Sequence, residues 1–210
     1  MRSSLHIFSL ITSLLFLADA RAQSGWSVLN IPDAGRYDDI SFINDSVGWA
    51  AGGASGWIRK TTDGGATWTL QFTSPYYSRS IEFVDANVGY CGSLSGQLYR
   101  TANGGQNWTD ISATMTPTPQ AFCGLSTPDA STVYGCGVWS QPAFIYKSIN
   151  AGSTWNYIDM SMYATRLVDI HFLSADTGFA TGAANPASNG CVILRTTDGG
   201  STWTTVHTTN

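Results

Sequence analysis

One nine-residue segment occurs four times in this chain and limits what the chain can fold into. The copies are Lys60–Trp68, Arg100–Trp108, Lys147–Trp155 and Arg195–Trp203. Their tryptophans, together with Trp26, lie 40 to 48 residues apart. Each copy follows the pattern Ser/Thr-x-Asp/Asn-x-Gly-x-Thr/Asn-Trp. A repeat of this period indicates a supersecondary unit that stacks on copies of itself.

A second pattern precedes each segment and predicts the strands. Short alternating runs occur at Ile40–Phe42, Ile81–Phe83, Cys123–Leu125 and Ile170–Phe172. Each is followed by a second short run, at Val47–Trp49, Val88–Tyr90, Val133–Tyr134 and Thr177–Phe179. Turn-forming residues separate the runs, so each repeat is predicted to form four short strands, A to D. The predicted fold class is all-β, a β-propeller of four-stranded blades, because such units with a periodic Gly/aromatic motif are typical of propellers.

The nine-residue segment is interpreted as a structural turn between strands C and D. Its Asp or Asn is expected to accept hydrogen bonds from backbone N–H groups of the turn, and its second glycine position suits a positive φ. Its Trp is expected to pack into the blade. The residues with these roles are Asp63, Gly65, Trp68, Asn103, Gly105, Trp108, Asn150, Gly152, Trp155, Asp198, Gly200 and Trp203. Two copies carry a neutral Asn, which argues against a metal site.

The turn motif resembles the Asp-box, or bacterial neuraminidase repeat. More narrowly, Val-Gly-Trp-x-x-Gly followed by Ile-x-Lys/Arg-Thr-Thr-Asp-Gly-Gly-x-Thr-Trp resembles the photosystem II stability/assembly factor family, over residues 26–210. The resemblance implies a ring of about seven blades, which at about 44 residues each exceeds this chain. We therefore expect four Asp-box repeats of a larger ring, with Trp26–Leu29 as a strand D of another blade; the alternative is a closed ring of four blades.

The N-terminus predicts export. Residues 1–22 combine Arg2, a short apolar run at Ile7–Leu17 and the small-x-small sequence Ala20–Ala22, which is the pattern of a cleavable signal peptide. The apolar run is shorter than the roughly 20 residues of a membrane-spanning helix. The mature chain, residues 23–210, is therefore expected to be an Asp-box propeller without a membrane span, either secreted, periplasmic or on the cell surface.

Composition and spacing exclude several classes of function. The chain has 10 Lys+Arg and 14 Asp+Glu, a net charge of −4, which argues against nucleic-acid binding. No Cys or His spacing suggests a metal, and no cofactor is expected. Glu82, the only glutamate, occupies the strand-A position that Ser41, Gly124 and His171 are taken to fill in the other repeats. We interpret it as a packing or channel residue, so no catalytic residue and no enzyme are predicted.

Loops that enter strand A carry arginine and tyrosine, the composition of protein-interaction hot spots. The predicted partner-binding face consists of Arg36, Tyr37, Tyr76, Tyr77, Arg79, Tyr163 and Arg166. The family resemblance also implies an arginine-bearing face. The predicted function is a non-catalytic protein-interaction or assembly module with a protein partner. Two alternatives stay open: these are unrelated loop residues, or the chain is a carbohydrate-binding or sialidase-like glycosidase propeller that binds a glycan on other blades.

The four cysteines allow one candidate disulfide. Cys123 and Cys136 would lie opposite each other if strands A and B of the third repeat form a hairpin centred between Asp129 and Ala130. A shift of one residue would turn the two side chains to opposite faces. The alternative is that Cys91, Cys123, Cys136 and Cys191 are all thiols.

Overall fold

The structure is a computed structural model and describes residues 35–137, 142–186 and 190–209. The described strands are β1 (Tyr37–Phe42), β2 (Gly48–Gly52), β3 (Trp57–Thr61), β4 (Thr69–Thr73), β5 (Ser78–Phe83), β6 (Gly89–Ser93), β7 (Leu98–Thr101), β8 (Thr109–Asp110), β9 (Gly124–Ser126), β10 (Val133–Gly137), β11 (Phe144–Ser148), β12 (Asn156–Asp159), β13 (Ala164–Phe172), β14 (Gly178–Ala184), β15 (Cys191–Thr196) and β16 (Thr204–Thr208). A 3-10 turn covers Ser112–Thr114. The predicted signal peptide and the predicted strand at Trp26–Leu29 lie outside the described residues.

The sixteen strands form four antiparallel sheets of four, each in chain order. Blade 1 is β1–β4, blade 2 is β5–β8, blade 3 is β9–β12 and blade 4 is β13–β16. The first strands of the four blades all contribute residues to one central channel, a cavity of about 400 Å³. The predicted all-β class and the four-stranded blades are confirmed. Among the described residues, none belongs to a helix with the length and apolar character that crossing a membrane requires.

Each nine-residue segment folds into the turn between the third and fourth strands of its blade. In the first, the hydroxyl of Thr61 accepts a hydrogen bond from the Gly65 N–H at 2.8 Å and donates one to Asp63 Oδ1 at 2.8 Å. Asp63 Oδ1 also accepts from the Thr67 N–H at 2.9 Å. The same three bonds recur in the other three segments. Gly65 has φ of +90°, a conformation that favours glycine.

Asp63→Ala should lower the melting temperature, because it removes the acceptor that holds Thr61 and Thr67 across the turn. The expected shift is about 2–4 °C, the size that loss of one capping side chain gives in a domain of this length. Asp63→Asn is the matched control, since Asn103 makes the same Oδ1 contact at 2.9 Å in the second segment. Equal melting temperatures for Asp63→Ala and the unaltered chain would contradict a structural role for this side chain.

Aromatic stacking joins blade 1 to blade 2 and blade 3 to blade 4. Trp49 of β2 stacks on Phe83 of the following blade, with ring centroids 3.5 Å apart and an interplanar angle of 4°. Tyr134 of β10 stacks on Phe172 in the same way, at 3.7 Å and 9°. An aromatic residue of the second strand therefore packs against the first-strand phenylalanine of the next blade.

Polar contacts join the same pairs of blades. Trp49 Nε1 and Lys60 Nζ both donate to the Gly104 carbonyl, at 3.2 and 3.3 Å. In the second pair, the Tyr134 hydroxyl and Lys147 Nζ donate to the Gly199 carbonyl, at 2.9 and 2.7 Å. Gly104 and Gly199 both occupy the first glycine position of an Asp-box. Each of these turns therefore also binds the preceding blade.

The predicted first strand of blade 3 was wrong in register by two residues. Ser126, not Gly124, lies opposite Tyr134, as Ser41 lies opposite Trp49. Thr127 takes the place of the phenylalanine that ends the run in the other repeats, so the apolar alternation pointed to the wrong residues. The position of Glu82 is thus filled by Ser126 rather than Gly124 in blade 3.

The predicted Cys123–Cys136 disulfide is absent from the structure. Cys136 lies opposite Gly124, so the hairpin register differs by one residue from the register that a bridge needs. The backbone N–H of Cys123 donates instead to the Cys136 carbonyl at 2.8 Å. All four cysteines carry their sulfur as a thiol, and that of Cys191 is exposed.

Candidate functional site

The seven predicted face residues lie at the same end of the channel. They belong to β1, β5 and β13 or to the loops that lead into these strands. The first strands of blades 1 and 2, β1 and β5, run in the same direction. The Ile81 N–H donates to the Asp39 side chain, and two residues further along both strands the Phe83 N–H donates to the Ser41 side chain. Loops that enter these strands therefore meet at the channel mouth.

Three of the seven residues lie around Asp38, whose side chain is fully buried: Arg36 and Tyr77 at its carboxylate and Arg79 at its backbone carbonyl. Arg36 Nη2 lies 2.6 Å from Asp38 Oδ1, while the Arg36 side chain is 71% exposed. Arg79 Nη1 donates to the Asp38 carbonyl at 3.4 Å. The nearby Asp38 side chain, with some burial, raises the pKa of the Tyr77 hydroxyl. We call Arg36, Tyr77 and Arg79 the Arg–Tyr cluster.

The other four residues have different surroundings. Tyr76 is exposed. Tyr37 lies opposite Gly52 at the start of β1. Tyr163 packs against the core of blades 3 and 4, and its N–H donates to the Met160 carbonyl at 2.9 Å. Arg166 lies on β13 opposite Ala183 and is exposed. The structure therefore joins only part of the predicted face into one cluster.

Sequence reasoning missed two carboxylates beside the cluster. Asp39 and Asp169 occupy the same register position of β1 and β13, and both line a cavity of about 300 Å³ with Asp38 and Arg79. Asp39 Oδ2 accepts from the Ile81 N–H at 2.8 Å. Asp39 and Asp169 each precede an isoleucine of the alternating run, so the shared Asp-Ile dipeptide was the signal available in the sequence.

Glu82 lies deeper in the channel and holds a proton more tightly than an ordinary carboxylic acid. Burial, followed by the negative charge of Asp39, raises its pKa to about 7. Its Oε1 lies 3.4 Å from the Thr127 hydroxyl of the next blade. Burial also raises the pKa of Asp39, although the backbone hydrogen bonds from Ile81 and Ile40 and, to a smaller extent, the charge of Arg79 oppose this. Within the described ranges, no group of three or more His, Cys, Asp or Glu side chains could hold a metal ion.

A family profile described as photosynthesis system II assembly factor YCF48 matches residues 18–160 of the chain. The chain belongs to this family. A curated relative, the photosystem II assembly lipoprotein Ycf48 of Synechococcus sp. (strain CC9902), is 26% identical over 141 residues, covering 64% of this chain and 40% of the relative. The chain thus spans less than half the length of that Ycf48 protein.

Solved structures show the same propeller fold. A structure of YCF48 bound to D1 peptide has a TM-score of 0.53 and 16% identity, over 85% of this chain and 84% of that one. An ancestral GH74 enzyme has a TM-score of 0.66 and 17% identity, over 85% of this chain and 25% of that one. At such identities the likeness concerns the fold alone.

The Ycf48 family match covers one part of the predicted face and not the other. Arg36, Tyr77 and Arg79 lie inside the matched residues 18–160, whereas Tyr163 and Arg166 lie beyond them. Tyr37 and Tyr76 also lie inside the match, so the matched range contains the whole Arg–Tyr cluster and two further residues of the predicted face.

Proposed function

We propose that this chain is a non-catalytic protein-binding module of the Ycf48 type, and that it binds its partner at the channel mouth. The observation that carries the proposal is the Arg–Tyr cluster, which lies inside the family match and at the end of the channel where the loops meet. Arginine and tyrosine are the residue types that dominate protein-interaction hot spots.

The cluster suits a peptide segment that carries a carboxylate. Arg36 is largely exposed and directs one nitrogen of its guanidinium at Asp38, which leaves further N–H donors for a partner. Arginine pairs with carboxylates through two parallel hydrogen bonds. The related structure is of YCF48 bound to D1 peptide, which supports a peptide of that class as the partner.

We also propose that the chain acts on the exported side of a membrane. The predicted signal peptide at residues 1–22 and the description of the Synechococcus relative as a lipoprotein support this location.

A glycosidase activity is the second candidate function. Glu82, with a pKa of about 7, shares the channel with Asp39, and glycosidases pair a protonated carboxylic acid with a second carboxylate. We place it second because Glu82 and Asp39 both make contacts between blades.

Replacing Arg36 and Arg79 together by Ala should weaken binding of a fluorescently labelled D1 peptide by about 30-fold or more, the effect of losing a hot spot. Fluorescence anisotropy with a scrambled peptide as reference measures this. Arg166→Ala is the matched control, since it removes an arginine of the same face outside the cluster, and a smaller effect is expected. Melting curves check that the variants are folded.

Glu82→Gln separates the two candidate functions. The protein-binding proposal expects unchanged peptide affinity for this variant, because Glu82 lies in the channel and not in the cluster. Equal peptide affinity of the double arginine variant and the unaltered chain would contradict the proposal. Release of reducing sugar from a polysaccharide that Glu82→Gln abolishes would establish the glycosidase instead.

A further inference from the structure

Asp38 contacts both arginines of the Arg–Tyr cluster from a buried position. Its Oδ1 lies 2.6 Å from Arg36 Nη2, and the Arg36 side chain is largely exposed whereas that of Asp38 is fully buried. Its backbone carbonyl accepts a hydrogen bond from Arg79 Nη1 at 3.4 Å. A buried carboxylate is thus paired with an arginine whose side chain extends into solvent at the channel mouth.

A β-bulge in the first strand of blade 1 places Asp38 where it can make both contacts. The register of β1 against β2 shifts between Tyr37 and Asp39, so Asp38 is an extra residue in β1 relative to β2. A bulge takes its extra residue out of the ladder and can re-aim the side chain. The Asp38 carbonyl is therefore available to Arg79, which is the extra residue of an equivalent bulge in β5.

The bulge belongs to the repeated fold, whereas the carboxylate does not. The register of β13 against β14 also shifts, between Leu167 and Asp169, which makes Val168 the extra residue in blade 4. Asp38, Arg79 and Val168 thus occupy the same position of three blades. Because the fold accepts an acidic, a basic and an apolar side chain at this position, it does not require a carboxylate there. The carboxylate of Asp38 therefore indicates a role in the site rather than in the framework.

Gly53, in the loop after β2, encloses the Asp38 carboxylate. A Cβ added to Gly53 would lie 2.7 Å from Asp38 Oδ2 and 3.0 Å from both the Arg36 carbonyl and the Tyr77 hydroxyl. The Gly53 carbonyl accepts from the Ser78 N–H of blade 2 at 3.2 Å, which fixes the glycine in this place. The Asp38 carboxylate therefore lies in a tight space, from which it can hold Arg36 in one orientation.

We propose that Asp38 is a positioning residue, whose buried carboxylate holds the Arg36 guanidinium over the channel mouth for the carboxylate of a partner. The inference rests on the proposed function and adds the residue that prepares Arg36 for binding. A long side chain loses rotamer freedom when it binds, and this loss weakens affinity unless the side chain is already ordered. Asp38 contacts one nitrogen of the guanidinium, which leaves other N–H donors for the partner.

The Arg36 side chain should be rigid in the unaltered chain without any peptide. Nuclear magnetic resonance relaxation of the Arg36 Nε–H measures this, and its order parameter should fall from a rigid to a flexible value in Asp38→Asn. Asp159→Asn is the matched control, because it removes a carboxylate from the loop between blades 3 and 4 at the same end of the channel. A flexible Arg36 in the unaltered chain, or one that stays equally rigid in Asp38→Asn, would overturn the proposal.

Asp38→Asn should weaken binding of the labelled D1 peptide by about 3- to 10-fold, the effect of one long side chain that must be ordered on binding. The Asp38 carbonyl that Arg79 contacts is retained in this variant. In an Arg36→Ala background the same substitution should change the affinity by less than about 2-fold, because a positioning residue acts through the residue that it holds. Unchanged affinity in the Arg36 background, or equal losses in both backgrounds, would overturn the proposal.

Two further variants keep the test independent of the folding of Asp38→Asn. Asp38→Val introduces the residue that blade 4 carries at this position, and it should give the same loss of affinity and the same flexible Arg36. Gly53→Ala leaves every charge in place and should weaken peptide binding in the same direction, because its methyl group displaces the Asp38 carboxylate. Melting curves check the fold of each variant.

Failure of the proposed function would be recognised separately. If the unaltered chain does not bind the D1 peptide, the proposed function is contradicted, and the relaxation of Arg36 still decides whether Asp38 holds it. If the unaltered chain binds the peptide and Asp38→Asn binds it equally well, the proposed function stands and the role of Asp38 is overturned.

Discussion

Trp49→Ala should destabilise the chain by about 3–5 kcal/mol, a large part of the stability of a typical domain. Trp49 is fully buried, and its ring stacks on Phe83 with centroids 3.5 Å apart. Its Nε1 donates to the Gly104 carbonyl at 3.2 Å, and Lys60 Nζ lies 4.7 Å from the ring centroid. One substitution therefore removes an aromatic stack and a hydrogen bond between blades 1 and 2, and a cation–π contact within blade 1. Equilibrium unfolding in urea measures the loss.

Trp49→Tyr is the control that the chain itself supplies. Tyr134 occupies the same position in blade 3, stacks on Phe172 and donates its hydroxyl to the Gly199 carbonyl. A tyrosine in blade 1 should keep the stack and a hydrogen bond, so we expect less than about half of the loss caused by alanine. Equal losses for the two variants would contradict the assignment of this stack as the main contact between the blades.

The sequence predicted the parts of the fold that depend on local chemistry. The Asp-box is local: Thr61, Asp63, Gly65 and Thr67 bond to one another within seven residues. The same holds for the alternation that identifies the strands. The shift in blade 3 arose where this local signal failed, because Thr127 replaces a phenylalanine and the alternation alone could not fix the strand.

The candidate site depends on contacts between blades, which the sequence does not encode locally. Asp38 lies in the run Tyr37–Asp39, and nothing in that run indicates that its side chain is buried and paired with Arg36, or that its backbone carbonyl accepts from Arg79. Tyr163 shares its composition and loop position with Tyr77 but packs against the core. Phe42 and Phe83 end similar runs and differ in burial only because one has a preceding described blade. The fold could therefore be predicted from local signals. The surroundings of the face residues could not, because they depend on burial by a neighbouring blade.

Raising the pH from 5 to 8 should lower the stability of the chain through Glu82. Burial and the charge of Asp39 raise the pKa of Glu82 from its ordinary 4.5 to about 7 in the folded protein. The folded state therefore binds the proton more tightly than the unfolded state, so stability falls as pH rises above 4.5 and the loss is complete above about 7. The expected loss over this interval is about 2–3 kcal/mol. Urea unfolding at several pH values measures it.

Glu82→Gln isolates this contribution, because the amide keeps the size of the side chain and does not ionise. The variant should be more stable than the unaltered chain at pH 8 and nearly equal to it at pH 5. Asp39, Asp169 and His171 also line the channel, and the raised pKa of Asp39 acts in the same direction, so a small slope should remain in Glu82→Gln. Asp39→Asn, added to Glu82→Gln, should then remove the part of the remaining slope of stability against pH that Asp39 causes. A pH profile of Glu82→Gln parallel to that of the unaltered chain would mean that Glu82 is ionised at neutral pH in the folded channel.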